Sequence, residues 1–298
     1  MWNPYIAIHR AEQESSLAIH TLIQYYLRRM TQEVEAIRYA DAQFIAQKEQ
    51  VVAEQMLHIL INGAPYTITM HTPGDEEALC RGILLSEDVY GGEKNPEFQV
   101  MQINLNGWME QVNIILNPAD CGEGLNSQRN LMSVSSCGMC GKYDTELELS
   151  GPALETNFRL DPNQIKNIFQ AMRENQMLFA AAGGSHAAAL IDEQNHLMIT
   201  KEDIGRHNAV DKAIGTLLLN QKLQEARILL VSGRISYEIV SKCYRAGIPC
   251  LAAVSAPSHL AIEYCRKKGI TLLAFCRDNY FTVYSHPERV IETVAKPL

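Results

Sequence analysis

Residues 226–277 read ARILLVSGRISYEIVSKCYRAGIPCLAAVSAPSHLAIEYCRKKGITLLAFCR, and this stretch decides the fold. Three apolar runs stand in it: ARILLVSG, IPCLAAVSA and ITLLAFCR. Each is too short for a helix and too uniformly apolar for a strand with one wet face, so each reads as a strand buried on both sides. Between them ISYEIVSKCYRAG and SHLAIEYCRKKG carry apolar residues at helical spacing and end on Gly247 and Gly269, as helices commonly do. Buried strands alternating with amphipathic helices predict an α/β domain, with a parallel or mixed sheet flanked by helices.

Upstream, NAVDKAIGTLLL (208–219) reads as another helix, and residues 187–191 and 196–200 as strands. Residues 162–177 read as a helix beginning at Pro162. Residues 51–142 have a different texture, predicting a smaller α+β subdomain. Alternating segments meet at Asn62-Gly63 and again at Asn106-Gly107, each a hairpin signal. Thr72-Pro73-Gly74-Asp75 breaks the second strand and starts a helix through Leu85. The expected division is therefore 1–50, 51–142 and 143–298. Residues 15–49 read as one long helix, because Ile19, Ile23, Tyr26, Met30, Val34, Ile37 and Phe44 recur three, four or seven apart. Docking on the chain's own core is favoured over a helical arm at a dimer interface, since Asp41 interrupts the stripe.

The chain has 298 residues, 47% of them hydrophobic and 20% charged, with a formal net charge of -8. That balance is ordinary for a globular protein and lacks the basic footprint of a nucleic-acid binder. The N-terminal residues show no signal-peptide pattern, and no apolar run reaches the ~18 residues of a membrane helix. A cytoplasmic chain with reduced thiols and no membrane partner is the expectation. There are eight cysteines. Cys80, Cys243, Cys250, Cys265 and Cys276 lie in apolar helical or strand patterns and read as packed residues.

Cys137 and Cys140 differ. They stand in Ser135-Ser136-Cys137-Gly138-Met139-Cys140-Gly141-Lys142, where glycines leave the sulfurs uncrowded and Lys142 favours thiolate. A second C-x-x-C, which a four-cysteine zinc site would need, is missing, as is the H-x-E of a zinc deaminase. Spacing alone gives a reactive thiol about half the weight, zinc about a quarter and inert structure the rest. A second signal is a set of turns at strand–helix junctions: Gly183-Gly184-Ser185-His186, Gly205-Arg206-His207-Asn208, Ser232-Gly233-Arg234 and Ser255-Ala256-Pro257-Ser258. Singly each is a cap. Together, with Arg206 and Arg234, they suit a phosphorylated ligand at one sheet edge. His186 and His207 are ligand contacts at best. No Walker loop and no G-x-G-x-x-G is present.

Several segments taken together resemble a known family. TPGDEEALCRGILLSE (72–87), SSCGMCGK (135–142), GGSHAAAL (183–190), EDIGRHNAVDKAIG (202–215), the run from Val231 to Glu263, and FCRDNYFTVYS (275–285) are similar to the FdhD family of formate dehydrogenase accessory sulfurtransferases. The resemblance runs from about Val51 almost to the C-terminus. It implies a cytidine-deaminase-like C-terminal domain and a homodimer. It implies sulfur accepted from a cysteine desulfurase as a persulfide on Cys137; by its own chemistry Cys140 reads as resolving that persulfide or assisting its release. The implied recipient is a molybdenum (or tungsten) cofactor bearing two pterin guanine dinucleotides, bound through Phe275, Cys276, Arg277, Asp278, Asn279 and Tyr280 and then inserted into formate dehydrogenase. Arg206, His207, Arg234 and Arg277 suit the guanosine diphosphate ends. Asp203 and Asp211 read first as cap or salt-bridge residues and second as partners of a guanine edge. The alternative is a non-catalytic cofactor chaperone. The long extension over residues 1–50 departs from the family pattern.

Overall fold

The computed structural model describes residue 27 and residues 29–126, 132–133, 151–277 and 280–291. The C-terminal domain is built on the predicted mixed sheet. Its strands are β8 (His186–Asp192), β9 (Leu197–Asp203), β10 (Ala226–Val231), β11 (Cys250–Ala253), β12 (Thr271–Arg277) and β13 (Tyr280–Ser285), in the order β13-β12-β11-β10-β8-β9. β10, β11 and β12 are parallel, and the other neighbours are antiparallel. The two-residue period of a strand sends alternate side chains to opposite layers. Ala188, Leu190, Leu229, Val231, Leu251, Ala253 and Leu272 face α4 (Arg206–Leu219), α5 (Tyr237–Arg245) and α6 (His259–Lys268). Ala187, Ala189, Ile191, Ile228, Leu230, Cys250, Ala252 and Leu273 face α2 (Ile165–Glu174), which contributes Ile165, Ile168 and Met172. Both faces are covered, which is why these strands carry almost no polar residue.

The smaller subdomain has a five-stranded sheet in the order β5-β6-β3-β4-β7. Its strands are β3 (Gln55–Ile61), β4 (Ala64–His71), β5 (Glu97–Ile103), β6 (Met109–Ile115) and β7 (Met132–Ser133). Asn62 and Gly63 take φ of 51° and 79°, the left-handed pair that a tight β3–β4 hairpin requires. Helix α1 (Glu76–Ser86) covers one face, burying Leu79, Cys80, Ile83 and Leu84 against Leu57, Ile59, Val112 and Ile114.

The two subdomains meet where α1 crosses α4, and backbone approach sets their distance. A Cβ on Gly82 would lie 2.0 Å from the Asp211 carbonyl oxygen, and one on Gly215 1.8 Å from that of Ala78. Only glycine permits such contact. Buried ion pairs surround the crossing. Lys212 Nζ lies 2.8 Å from Asp203 Oδ2 and donates to the Thr72 carbonyl; Lys201 Nζ lies 2.7 Å from Asp75 Oδ1. Asp211 accepts from Lys242 Nζ and from Ser86 Oγ, joining α4 to α5 and α1. Burial pushes the Asp211 carboxyl above its usual range despite Lys242, so this pair fixes geometry more than it adds net stability.

Residues 31–52 overturn the expectation of one long helix over 15–49. Leu27, Arg29 and Met30 are helical, but β1 (Thr31–Ala40) and β2 (Gln43–Val52) form an antiparallel hairpin. The N-terminal part of that expected helix, up to residue 26, lies outside the described residues, as does residue 28. The helical spacing was outweighed by β-branched and aromatic content, which packs better across strands. Tyr39 and Phe44 face each other with ring centroids 5.1 Å apart, and Arg38 pairs with Glu49. Asp41 and Ala42 make the turn at φ 49° and 61°. Ala gives no sequence signal for that conformation.

Candidate functional site

The carboxyl ends of parallel β10, β11 and β12 open on one edge of the large sheet, the usual ligand position in such folds. β8 runs against β10, so its amino end arrives at the same edge, and β9 returns there, setting His186 opposite Asp203. All four predicted junctions therefore gather in one place. Ser232 ties two strands together there: its amide donates to the Ala187 carbonyl, and its hydroxyl accepts from the Ala187 amide. The Ser258 amide donates to the Ile235 carbonyl and its hydroxyl caps α6.

Within this edge, Gly233 separates two of the predicted side chains. A Cβ on Gly233 would lie 3.4 Å from Arg206 Cβ and Cδ and 3.4 Å from His186 Nδ1. Arg234 follows and is exposed. Burial, then Arg206, hold the His186 imidazole below its ordinary range, with Arg234 adding to them and Asp203 opposing. His207 is buried, with Nε2 3.4 Å from Ser236 Oγ. The first turn of α4 is thus positioned from both sides.

Asp203 is the residue whose role the sequence left between two readings. It is fully buried and receives Thr72 N, Gly205 N, Asn208 Nδ2 and Lys212 Nζ. Asp211 is equally enclosed. Asp203 holds the turn that starts α4 and pairs with Lys212, while Asp211, inside α4, pairs with Lys242; both carboxylates are buried. Asn208 was missed as a positioning residue, although it donates to the Met70 carbonyl and to Asp203. The readable signal was Asp203-x-Gly205 before a helix, an Asx turn.

Phe275, Cys276 and Arg277 close β12 at the same edge. Phe275 sits at φ 55°, costly for a bulky side chain by roughly 1 kcal/mol or more, and its amide donates to the Ser255 carbonyl. The β12–β13 register slips between Ala274 and Arg277, so the strand bulges here. The bulge keeps Cys276 packed inside, its thiol pushed up to about 12 by burial, while Arg277 and Tyr280 are exposed. Cys80, Cys243, Cys250 and Cys265 are buried as expected, each thiol raised by desolvation. Cys137, Cys140, Asp278 and Asn279 lie outside the described residues. A separate cavity of about 550 Å³ lies on the outer face of the small sheet, lined by residues including Met56, His58 and Trp108, away from this edge. No helix among the described residues is long and apolar enough to cross a membrane.

Comparison with known proteins agrees with these features. A sulfur carrier protein FdhD of Streptomyces coelicolor is 38% identical over 271 residues, covering 88% of this chain and 96% of its own. The protein of the same name from Sulfolobus acidocaldarius is 36% identical over 260 residues, covering 87% and 98%. A solved structure of a formate dehydrogenase accessory protein from Desulfotalea psychrophila superposes with a TM-score of 0.70 at 23% identity, over 88% of this chain and all of that one, and shares its fold. The model of the FdhD/NarQ family matches residues 52–291, which take in both sheets and every residue of the edge, and the chain belongs to that family.

Proposed function

We propose that this protein accepts sulfur from a cysteine desulfurase as a persulfide on Cys137 and delivers it to a bis(guanine dinucleotide) molybdenum cofactor destined for formate dehydrogenase. The Cys137 thiolate attacks the outer sulfur of the donor's persulfide. The donor leaves as a thiolate, and the sulfur atom now hangs on Cys137. The observation that carries this reading is the convergence of Arg206, Arg234 and the end of β12 with His186 on one sheet edge of a sulfur-carrier family member. That edge suits the cofactor's phosphates. Arg277 and Tyr280, paired at the end of β12 and the start of β13, are both exposed, which suits a binding strip.

Chain connectivity supports the sulfur's route. β7 runs parallel to β4, with Ser133 beside Thr69, and Thr72 bonds directly to Asp203. Cys137 follows Ser133 by four positions in the sequence. We read Cys140 as an aid to release, and the working unit as a cytoplasmic homodimer.

The test is mass spectrometry of the protein after incubation with a cysteine desulfurase and cysteine. One added sulfur atom on Cys137 is expected, absent in Cys137→Ala, which still binds the cofactor but no longer matures formate dehydrogenase. Full maturation by Cys137→Ala would leave a non-catalytic chaperone instead. Loss of two hydrogens without sulfur gain would mark a dithiol oxidoreductase.

A further inference from the structure

The cationic edge holds a titratable group, His186, beside its arginines. His186 opens β8 opposite Asp203, half-buried, facing Arg206 across the gap that Gly233 leaves. Among the described residues, the charged groups that act on it are Arg206 at the start of α4, Arg234 in the loop after β10, and Asp203 at the end of β9. His207 is turned toward Ser236. Asp203 is the one carboxylate among them, and four donors already hold it.

We propose that His186 is a proton-linked third cation of this edge: it takes a proton from solvent as the phosphates of a guanosine diphosphate group settle beside Arg206 and Arg234, and then donates to a phosphate oxygen. The inference rests on the reading of the edge as a phosphate site. Burial and the two guanidinium charges hold the free imidazole low. A bound diphosphate cancels both charges and adds an acceptor, so the bound-state pKa rises. Coupling of this kind is reciprocal, so proton uptake on binding means tighter binding at lower pH. Because the bound value lies above the free one, the gain is complete below the free pKa. It is lost as pH rises through the bound pKa. Each unit between the two is worth tenfold in affinity.

The experiment is calorimetric titration of the full chain with GDP near pH 7, in two buffers of different ionisation enthalpy, for wild type and His186→Gln. The ligand's own terminal phosphate titrates in both and subtracts out. Wild type is expected to take up roughly half a proton more than the variant. Its affinity should also fall about threefold more steeply between about pH 6 and about pH 8. Equal proton counts and parallel pH profiles, with GDP still bound, overturn the linkage and leave the phosphate edge standing. If wild type gives no GDP binding at all, the phosphate reading fails and takes the linkage with it. Ring-nitrogen NMR of His186 decides the matter without a variant: its apparent pKa must rise on saturation with GDP, and an unmoved value overturns the proposal.

Discussion

Two clusters of positive charge among the described residues are built in opposite ways. At the junction of the subdomains Lys201, Lys212 and Lys242 are buried, each within 2.8 Å of a carboxylate. At the open edge of the large sheet the cations are arginines, Arg234 and Arg277 are exposed, and Asp203, opposite His186, is already held by four donors. A lysine is a compact point charge that seats on one partner. Arginine carries a planar fork suited to phosphate and sheds water more readily. The first region uses charge to lock two subdomains in register. The second leaves charge for something that arrives from outside. Asp203 belongs to both, since it ties Thr72 of the small subdomain to Lys212 and supports the turn that carries Arg206.

That contrast can be broken from the structural side first. Lys212→Met strands a buried carboxylate and should cost about 3–5 kcal/mol in denaturant unfolding. Adding Asp203→Asn should recover part of the loss, because it removes the stranded charge while keeping one acceptor oxygen for Gly205 and Asn208. A double variant no more stable than the single one would refute the pairing. Next in size, Gly215→Ala forces a methyl group into the α1–α4 crossing and should cost about 2–3 kcal/mol in the same assay. If it melts like wild type, the two helices are not held in backbone contact. Last, Arg206→Gln should weaken GDP binding by about 2 kcal/mol, roughly thirtyfold, while the melting temperature barely moves. Added salt should likewise weaken binding and spare the melting temperature, since buried pairs are screened far less than exposed charges. An Arg206→Gln variant that loses stability but not binding would place the arginine with the lysines.

Some of this was legible in residue order. The uniformly apolar runs at 226–233 and 248–256 can only be strands covered on both faces, and the sheet places them so. Asn62-Gly63 declared a hairpin through its backbone chemistry, whereas Asp41-Ala42 makes a comparable turn without the glycine that signals one. The hairpin of residues 31–52 was therefore hidden, its alternation blurred because most of its side chains are exposed on both faces. The five packed cysteines were readable from their apolar neighbours. The strained backbone of Phe275 was not, because φ is set by the bulge and by the Ser255 carbonyl, not by the residue's own preference.

Residue order by itself determined the layers of the large domain, the turn that starts α1 and the family, since period, capping and motif are local properties of the chain. Only the tertiary structure decided that Asp203 and Asp211 are spent on buried donors, that Gly82 and Gly215 let two helices touch, and that His186 stands across a glycine gap from Arg206. Those facts depend on residues far apart in sequence meeting in space. Which partner a charged side chain finds is fixed by the packing around it, and no window of sequence contains that packing.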